Sequence, residues 1–260
     1  MPTTTSPAPV KASVQPPPPG AAAARKALFW DRIAPKYAAD PIADMAGYEA
    51  TLQRVQGLLS AGQEVLEIGC GTGSTALRLA PFTRRLLATD VSPGMIAIAQ
   101  ARLAAQPTPQ LGFAVADADA PGWGQGTYDV VMAFNMLHLV SDLDHTLQLA
   151  VQALRPGGLL ISKTPCIAEM NPLIPWLAIP LMRAIGKAPA VLSFEGPGLH
   201  AAIARQGMDI VSVERHGTRG KDIRLFIVAR KPPEFPHSPS RLLPRPGGRG
   251  PDHFINRGNP

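Results

Sequence analysis

The stretch Val65-Leu66-Glu67-Ile68-Gly69-Cys70-Gly71-Thr72-Gly73-Ser74 decides the fold. An aliphatic run at 64–69 reads as a strand, and an amphipathic pattern at 74–79 reads as a helix. Between them three glycines alternate. Glycine at such a junction permits a tight turn and lets a ligand approach the backbone without meeting a Cβ. Free N–H groups at the start of the following helix favour a polar or anionic ligand group.

Working outward, short aliphatic runs alternate with helical patterns. Strands are expected at 85–89, 111–116, 128–134 and 159–163, and helices at 95–104 and 142–154. Two closing strands, 208–215 and 223–229, are joined by a short basic turn and read as an antiparallel hairpin at one edge. Strands separated by helices imply βαβ units. The expected fold is therefore α/β: a Rossmann-like, doubly wound, mostly parallel seven-stranded sheet with an antiparallel edge hairpin. Its ligand crevice should open at the carboxyl ends of the strands.

Asp90 closes the second strand, 21 residues beyond Gly69, where an acid can accept hydrogen bonds from both hydroxyls of a ribose. Two cofactor classes share this geometry. A nicotinamide loop reads GxGxxG, whereas here the third glycine comes one residue early and Glu67 precedes the first by two. A carboxylate there repels a pyrophosphate and suits a zwitterionic amino acid group. The spacing favours a nucleoside that carries an amino acid.

Taken together, ExGxGxG after a strand, Asp90 after the second strand, Asp117 after the third and Leu154-Arg155-Pro156-Gly157-Gly158 before the fifth resemble class I S-adenosylmethionine-dependent methyltransferases. The chain is most similar in flavour to the type 11 small-molecule group, which includes ubiquinone and menaquinone methyltransferases. The segment FWDRIAPKYA at 29–38 also resembles the amino-terminal cap of that group. The resemblance covers roughly 26–230 and implies S-adenosyl-L-methionine as cofactor. It further implies that Glu67, Gly69, Gly71 and Gly73 line the methionine end, with Cys70 offering mainly backbone. Asp90 would hold the ribose, Val91 would pack on the adenine, and Asp117, with Ala118 beside it, would receive the adenine amino group. Asn135 would contribute a backbone carbonyl near the methionine moiety, and Tyr37 would cover the cofactor. Each has a plainer alternative: Asp90 as a helix cap, Asp119 in place of Asp117, Tyr37 as core packing.

In the resembling family the loop after the fourth strand borders the transferred methyl. His138 is thus the candidate catalytic base, because an imidazole titrates near neutrality; stabilising the loop is its alternative. Cys166 and Glu169 follow the fifth strand, also near the expected acceptor. No metal ligands are expected.

Proline is concentrated at the ends: 15 of 29 fall in residues 1–24 and 231–260. The reading is a disordered leader at 1–25, a domain at 26–230 with a cap at 26–60 and an apolar insertion at 164–198, and a disordered tail at 231–260. Residues 172–192 are interrupted by Pro175, Pro180 and Pro189 and charged by Arg183 and Lys187, so they do not qualify as a membrane span. The net charge of +6 leaves only +2 within 25–230, so nucleic acid is not an expected partner. Two cysteines suit a reduced compartment, and a cytoplasmic location is expected.

The leading function is methyl transfer to a small, apolar acceptor such as a quinone, phenol or lipid amine, by a monomer or homodimer that touches membrane surfaces at most transiently. Two alternatives stay open: methylation of a protein or nucleic acid, and a cofactor-binding protein without catalysis.

Overall fold

The computed structural model describes residues 21–170, 181, 190–220 and 222–233. Seven strands form one sheet: β1 Glu64–Ile68, β2 Arg85–Asp90, β3 Leu111–Val115, β4 Tyr128–Phe134, β5 Leu154–Pro165, β6 Asp209–Glu214 and β7 Arg224–Arg230. Their order is β3-β2-β1-β4-β5-β7-β6. The first five pair in parallel, and β7 pairs antiparallel with both β5 and β6. The expected doubly wound sheet is present. The closing hairpin folds back so that β7 lies between β5 and β6 and leaves β6 at the edge; the buried run Leu225–Ala229 suits the inner position, and the half-exposed alternation of β6 suits the edge.

Helices α1 Ala21–Ala39, α2 Met45–Gln56, α3 Ser74–Leu79, α4 Pro93–Ala105, α5 Leu143–Ala153 and α6 Gly196–Arg205 flank the sheet. Side-chain alternation along the strands builds two cores. Leu66, Ile68, Val131 and Leu160 pack with α5 and α6 on one face. Val65, Val130, Met132, Ile161 and Phe226 pack with Leu52 and Val55 of α2 on the other. Local chemistry sets the helix starts: Ser92 Oγ accepts from Met95 N, with Pro93 in the first turn, and Asp142 accepts from His145 N.

Two boundaries differ from the sequence expectation. Helix α1 starts at Ala21, inside the segment assigned to the leader, because the alanine run after Gly20 favours a helix and Ala23 and Ala27 bury against the body. Strand β5 starts five residues earlier, since Leu154 pairs with Tyr128 before a register shift readmits the chain at Leu159. The Pro156-Gly157-Gly158 turn is thus a bulge within the strand, with Gly157 at φ 78°. Most of the apolar insertion, including Trp176 and Met182, lies outside the described residues, as do most of 172–192, the first 20 residues and 234–260. Among the described residues no helix is long and apolar enough to cross a membrane.

Candidate active site

The carboxyl ends of β1, β2, β4 and β5 open into a cleft of about 650 Å³, roofed by α1, α2 and the segment between them. The structure brings Tyr37, Gly69, Cys70, Gly71, Asp90, Val91, Asp117, Ala118, Asn135 and His138 to its walls.

The glycines divide by purpose. All three have positive φ, 70°, 55° and 75°. A Cβ on Gly69 would stand 2.7 Å from Met136, and one on Gly73 would stand 2.6 Å from Phe113, so the protein's own packing demands glycine there. A Cβ on Gly71 would meet nothing nearer than the Tyr37 ring edge at 3.7 Å. That open space faces the cleft. Tyr37 is 52% exposed and stands at the rim rather than in the core.

Asp90 holds the loop in shape: its two carboxylate oxygens accept from Gly71 N and Ser92 N, each at 2.9 Å. Arg102 on α4 clamps the same loop from behind. One guanidinium nitrogen donates to Thr72 O, Thr72 Oγ1 and Ser74 Oγ, and the other to Ala38 O at the end of α1. Asp31 completes the attachment of α1 by accepting from Ser92 Oγ and Gly94 N. The cap is therefore tied to the loop by charged side chains on both sides.

Glu67 projects from β1 beneath the loop. It is 2% exposed, its Oε2 has no partner among the described residues, and burial, with Asp90 nearby, pushes its carboxyl up to about 8. Burial likewise raises Asp90. Such an acidic floor, with an unsatisfied buried carboxyl oxygen, calls for a cationic ligand group. Cys70 is tucked in, its thiol pushed well up by burial and the two acids, so it offers backbone rather than reactivity.

At the far end Asp117 and Asp119 share the Lys26 ammonium at 2.8 and 2.7 Å. Asp119 is further used by Ser141 N and Thr146 Oγ1, which makes it structural. Asp117 is the less committed of the two. Val91, Ala116, Ala118, Leu139 and Val140 supply an apolar slot beside it. Asn135 sits at φ 54° and donates its N–H to Lys163 O at 2.7 Å, so its carbonyl is set by a strained turn at the end of β4.

His138 follows in a short helical turn. Its Nδ1 is buried without a partner, and burial, reinforced by Arg224, lowers it to about 4. The near-neutral titration expected of an ordinary imidazole therefore does not hold here. Cys166 and Glu169 serve the fold: the thiol is fully buried and pushed up to about 11, and Glu169 accepts from Gly196 N and pairs with Arg215. No metal-binding group occurs among the described residues.

Sequence reasoning missed Lys26, Asp31, Arg102 and Lys163. Asp31 lay within the recognised cap segment without an assigned role, and the other three carry no local signal. Glu67, Asp90 and the open Gly71 backbone together fit a nucleoside bearing a cationic amino acid.

Residues 65–158 match the family described as methyltransferase domain. A stretch of 125 residues is 35% identical to part of the iterative polyketide synthase afoE of Emericella nidulans, covering 44% of this chain and 4% of that one. The chain thus spans a small fraction of the length of the curated relatives it matches. Among solved structures, an S-adenosylmethionine-dependent methyltransferase from Mesorhizobium loti shares 22% identity and a TM-score of 0.58, over 72% of this chain and 98% of its own. The (4+2)-cyclase SpnF shares 18% identity and a TM-score of 0.64, over 85% of this chain and 100% of its own. Both show the same fold. The glycine loop, the paired acids and the strand order thus stand within a stretch that matches a methyltransferase domain, on a fold shared with an S-adenosylmethionine-dependent methyltransferase.

Proposed function

We propose that this chain transfers a methyl group from S-adenosylmethionine to a small, largely apolar acceptor by in-line displacement. One observation carries the reading: a buried carboxyl, Glu67, lies unsatisfied beneath an open glycine loop and beside a second acid, Asp90. When bound, the cofactor supplies an electrophilic methyl on a sulfonium, with a thioether as leaving group. The residues of this chain hold and orient. Glu67 faces the positive amino acid end, Asp90 presents acceptor lone pairs to the ribose, and Asp117 takes the exocyclic amine of the base while the apolar slot holds its ring. Tyr37 at the rim closes over the cofactor.

His138 borders the acceptor side. Held neutral at every pH above about 4, it accepts a hydrogen bond from an acceptor hydroxyl and takes its proton as the new bond to methyl forms. An imidazole of such low basicity suits an acceptor that is itself acidic. Alignment and desolvation supply the remainder of the rate.

A quinone, phenol or lipid amine fits the apolar wall of Ile42, Leu52, Val55 and Phe134. Polyketide synthases among the relatives favour the phenolic and keto-enol end of that range. Two unpaired cysteines support action in the cytoplasm. The fold is also that of a protein described as a cyclase, so cofactor binding without methyl transfer is the second reading.

Calorimetric titration with S-adenosylhomocysteine beside NADH tests the cofactor, and radiolabelled turnover over phenols and quinones tests the transfer. Micromolar binding of the first ligand alone, followed by label transfer, is the expected result. A folded protein that binds neither ligand overturns the proposal.

A further inference from the structure

Two basic side chains stand together at one end of the cleft. Asp90 and Asp117 line the cofactor end, the latter paired with Lys26, whereas Lys163 and Arg224 line the acceptor end near Asp44. Lys163 is 8% exposed, an unusual setting for an ammonium. Its Nζ donates to Thr51 Oγ1 at 2.7 Å and reaches Gly47 O only at 3.5 Å. Among the described residues no carboxylate forms an ion pair with it.

The acids within electrostatic range are already engaged. Asp44 accepts from Gly47 N and Thr218 N, and Asp222 from Gly217 N and Arg224 N. Behind Thr51, His216 Nδ1 lies 3.1 Å from the hydroxyl, and Glu214 is held by His216 and Arg54. None of them neutralises the ammonium directly. Strand register adds a second cation: Lys163 pairs with Phe226 and Pro165 with Arg224, so 163 and 224 share one sheet face two residues apart along the ladder. Burial dominates and lowers the Lys163 pKa, with Arg224 acting the same way against an opposing pull from Asp222 and Asp44.

We propose that Lys163 and Arg224 form an oxyanion-binding subsite in the acceptor end of the cleft, so that the acceptor carries an ionised oxygen. This rests on the methyltransferase reading for its purpose: as His138 takes the proton of the acceptor hydroxyl, the two cations hold the negative charge that develops on its oxygen and make it the stronger nucleophile toward a sulfonium. A buried cation without a counter-charge gains most from an anion that enters the same dry space. Two sources share that chemistry: a carboxylate, and an enolate or phenolate.

The test compares ionised probes with neutral partners on the full chain, with and without S-adenosylhomocysteine. The pairs are 2-naphthoate against 2-naphthamide, and 4-nitrophenolate against 4-nitroaniline. At least one ionised probe should bind ten-fold or more tightly than its partner, and the pair that discriminates identifies the source. Lys163→Met should abolish the preference while leaving S-adenosylhomocysteine affinity within two-fold, and Lys163→Arg should retain it. Should Lys163→Met not fold, Arg224→Gln must reduce the preference at least three-fold.

Equal binding within each pair, no saturable binding of any probe, or an unchanged preference in Lys163→Met or Arg224→Gln overturns the subsite. A lower melting temperature with the preference intact would mark Lys163 as a brace between α2 and the sheet, and would equally overturn it. Failure of S-adenosylhomocysteine to bind counts against the methyltransferase reading alone, because the probe comparison reads the charge of the pocket directly.

Discussion

Replacing Glu67 by glutamine should stabilise the ligand-free protein and weaken its hold on the cofactor at the same time. Folded, the carboxyl titrates near 8; unfolded, it returns to 4.5. Its folded pKa is raised, so stability is fully present below about pH 4.5 and drains away as pH climbs through 8. Linkage puts the loss at up to about 3 kcal/mol at pH 7 and about 5 kcal/mol at pH 9. Glutamine keeps the shape and still leaves one polar atom unpaired, so the difference between the two chains isolates the ionisation. Urea unfolding from pH 5 to 9 should show the wild type falling steeply and the variant nearly flat. A bound amino acid ammonium reverses the preference for the protonated form. Binding of S-adenosylhomocysteine at pH 7 should therefore release nearly one proton in the wild type and almost none in Glu67→Gln. Titrations in two buffers of different ionisation enthalpy read that number. Parallel stability profiles for the two chains would refute the buried, unsatisfied state of Glu67.

Three further outcomes follow from the geometry. Asp90→Ala should weaken S-adenosylhomocysteine binding at least ten-fold in calorimetry and lower stability by about 1–3 kcal/mol, because Gly71 N and Ser92 N lose their acceptor together with the ribose. His138→Ala should slow turnover and spare cofactor affinity. The wild-type rate should show no imidazole titration between pH 5.5 and 8, since His138 gains its proton only below about 4; an inflection near 6.5 would place it in an ordinary aqueous setting. Gly69→Ala should cost about 2–4 kcal/mol in denaturant unfolding, from left-handed backbone strain and the Met136 overlap, whereas a loss under 0.5 kcal/mol would show that the loop relaxes freely.

The amino-acid sequence by itself determined the alternation of strands and helices, because hydrophobic periodicity is local and both sheet faces are buried. It also determined the loop, since three glycines in alternation after an apolar strand leave few backbone solutions, and it placed Glu67 and Asp90 at strand ends by spacing alone. A helix cap after the second strand was legible too, but it was read at Asp90, whereas Ser92 supplies it. Tertiary structure decided the rest. Nothing local says that β7 inserts between β5 and β6, because the order of a hairpin depends on which strand can be buried on both faces. Lys26, Asp31 and Arg102 come from segments 28 to 93 residues away from the groups they bind, and no short-range pattern encodes such pairings. Burial alone moved His138 down to about 4 and Glu67 up to about 8, for a pKa answers to the surrounding dielectric and charge, which exist only once the chain has closed around the group.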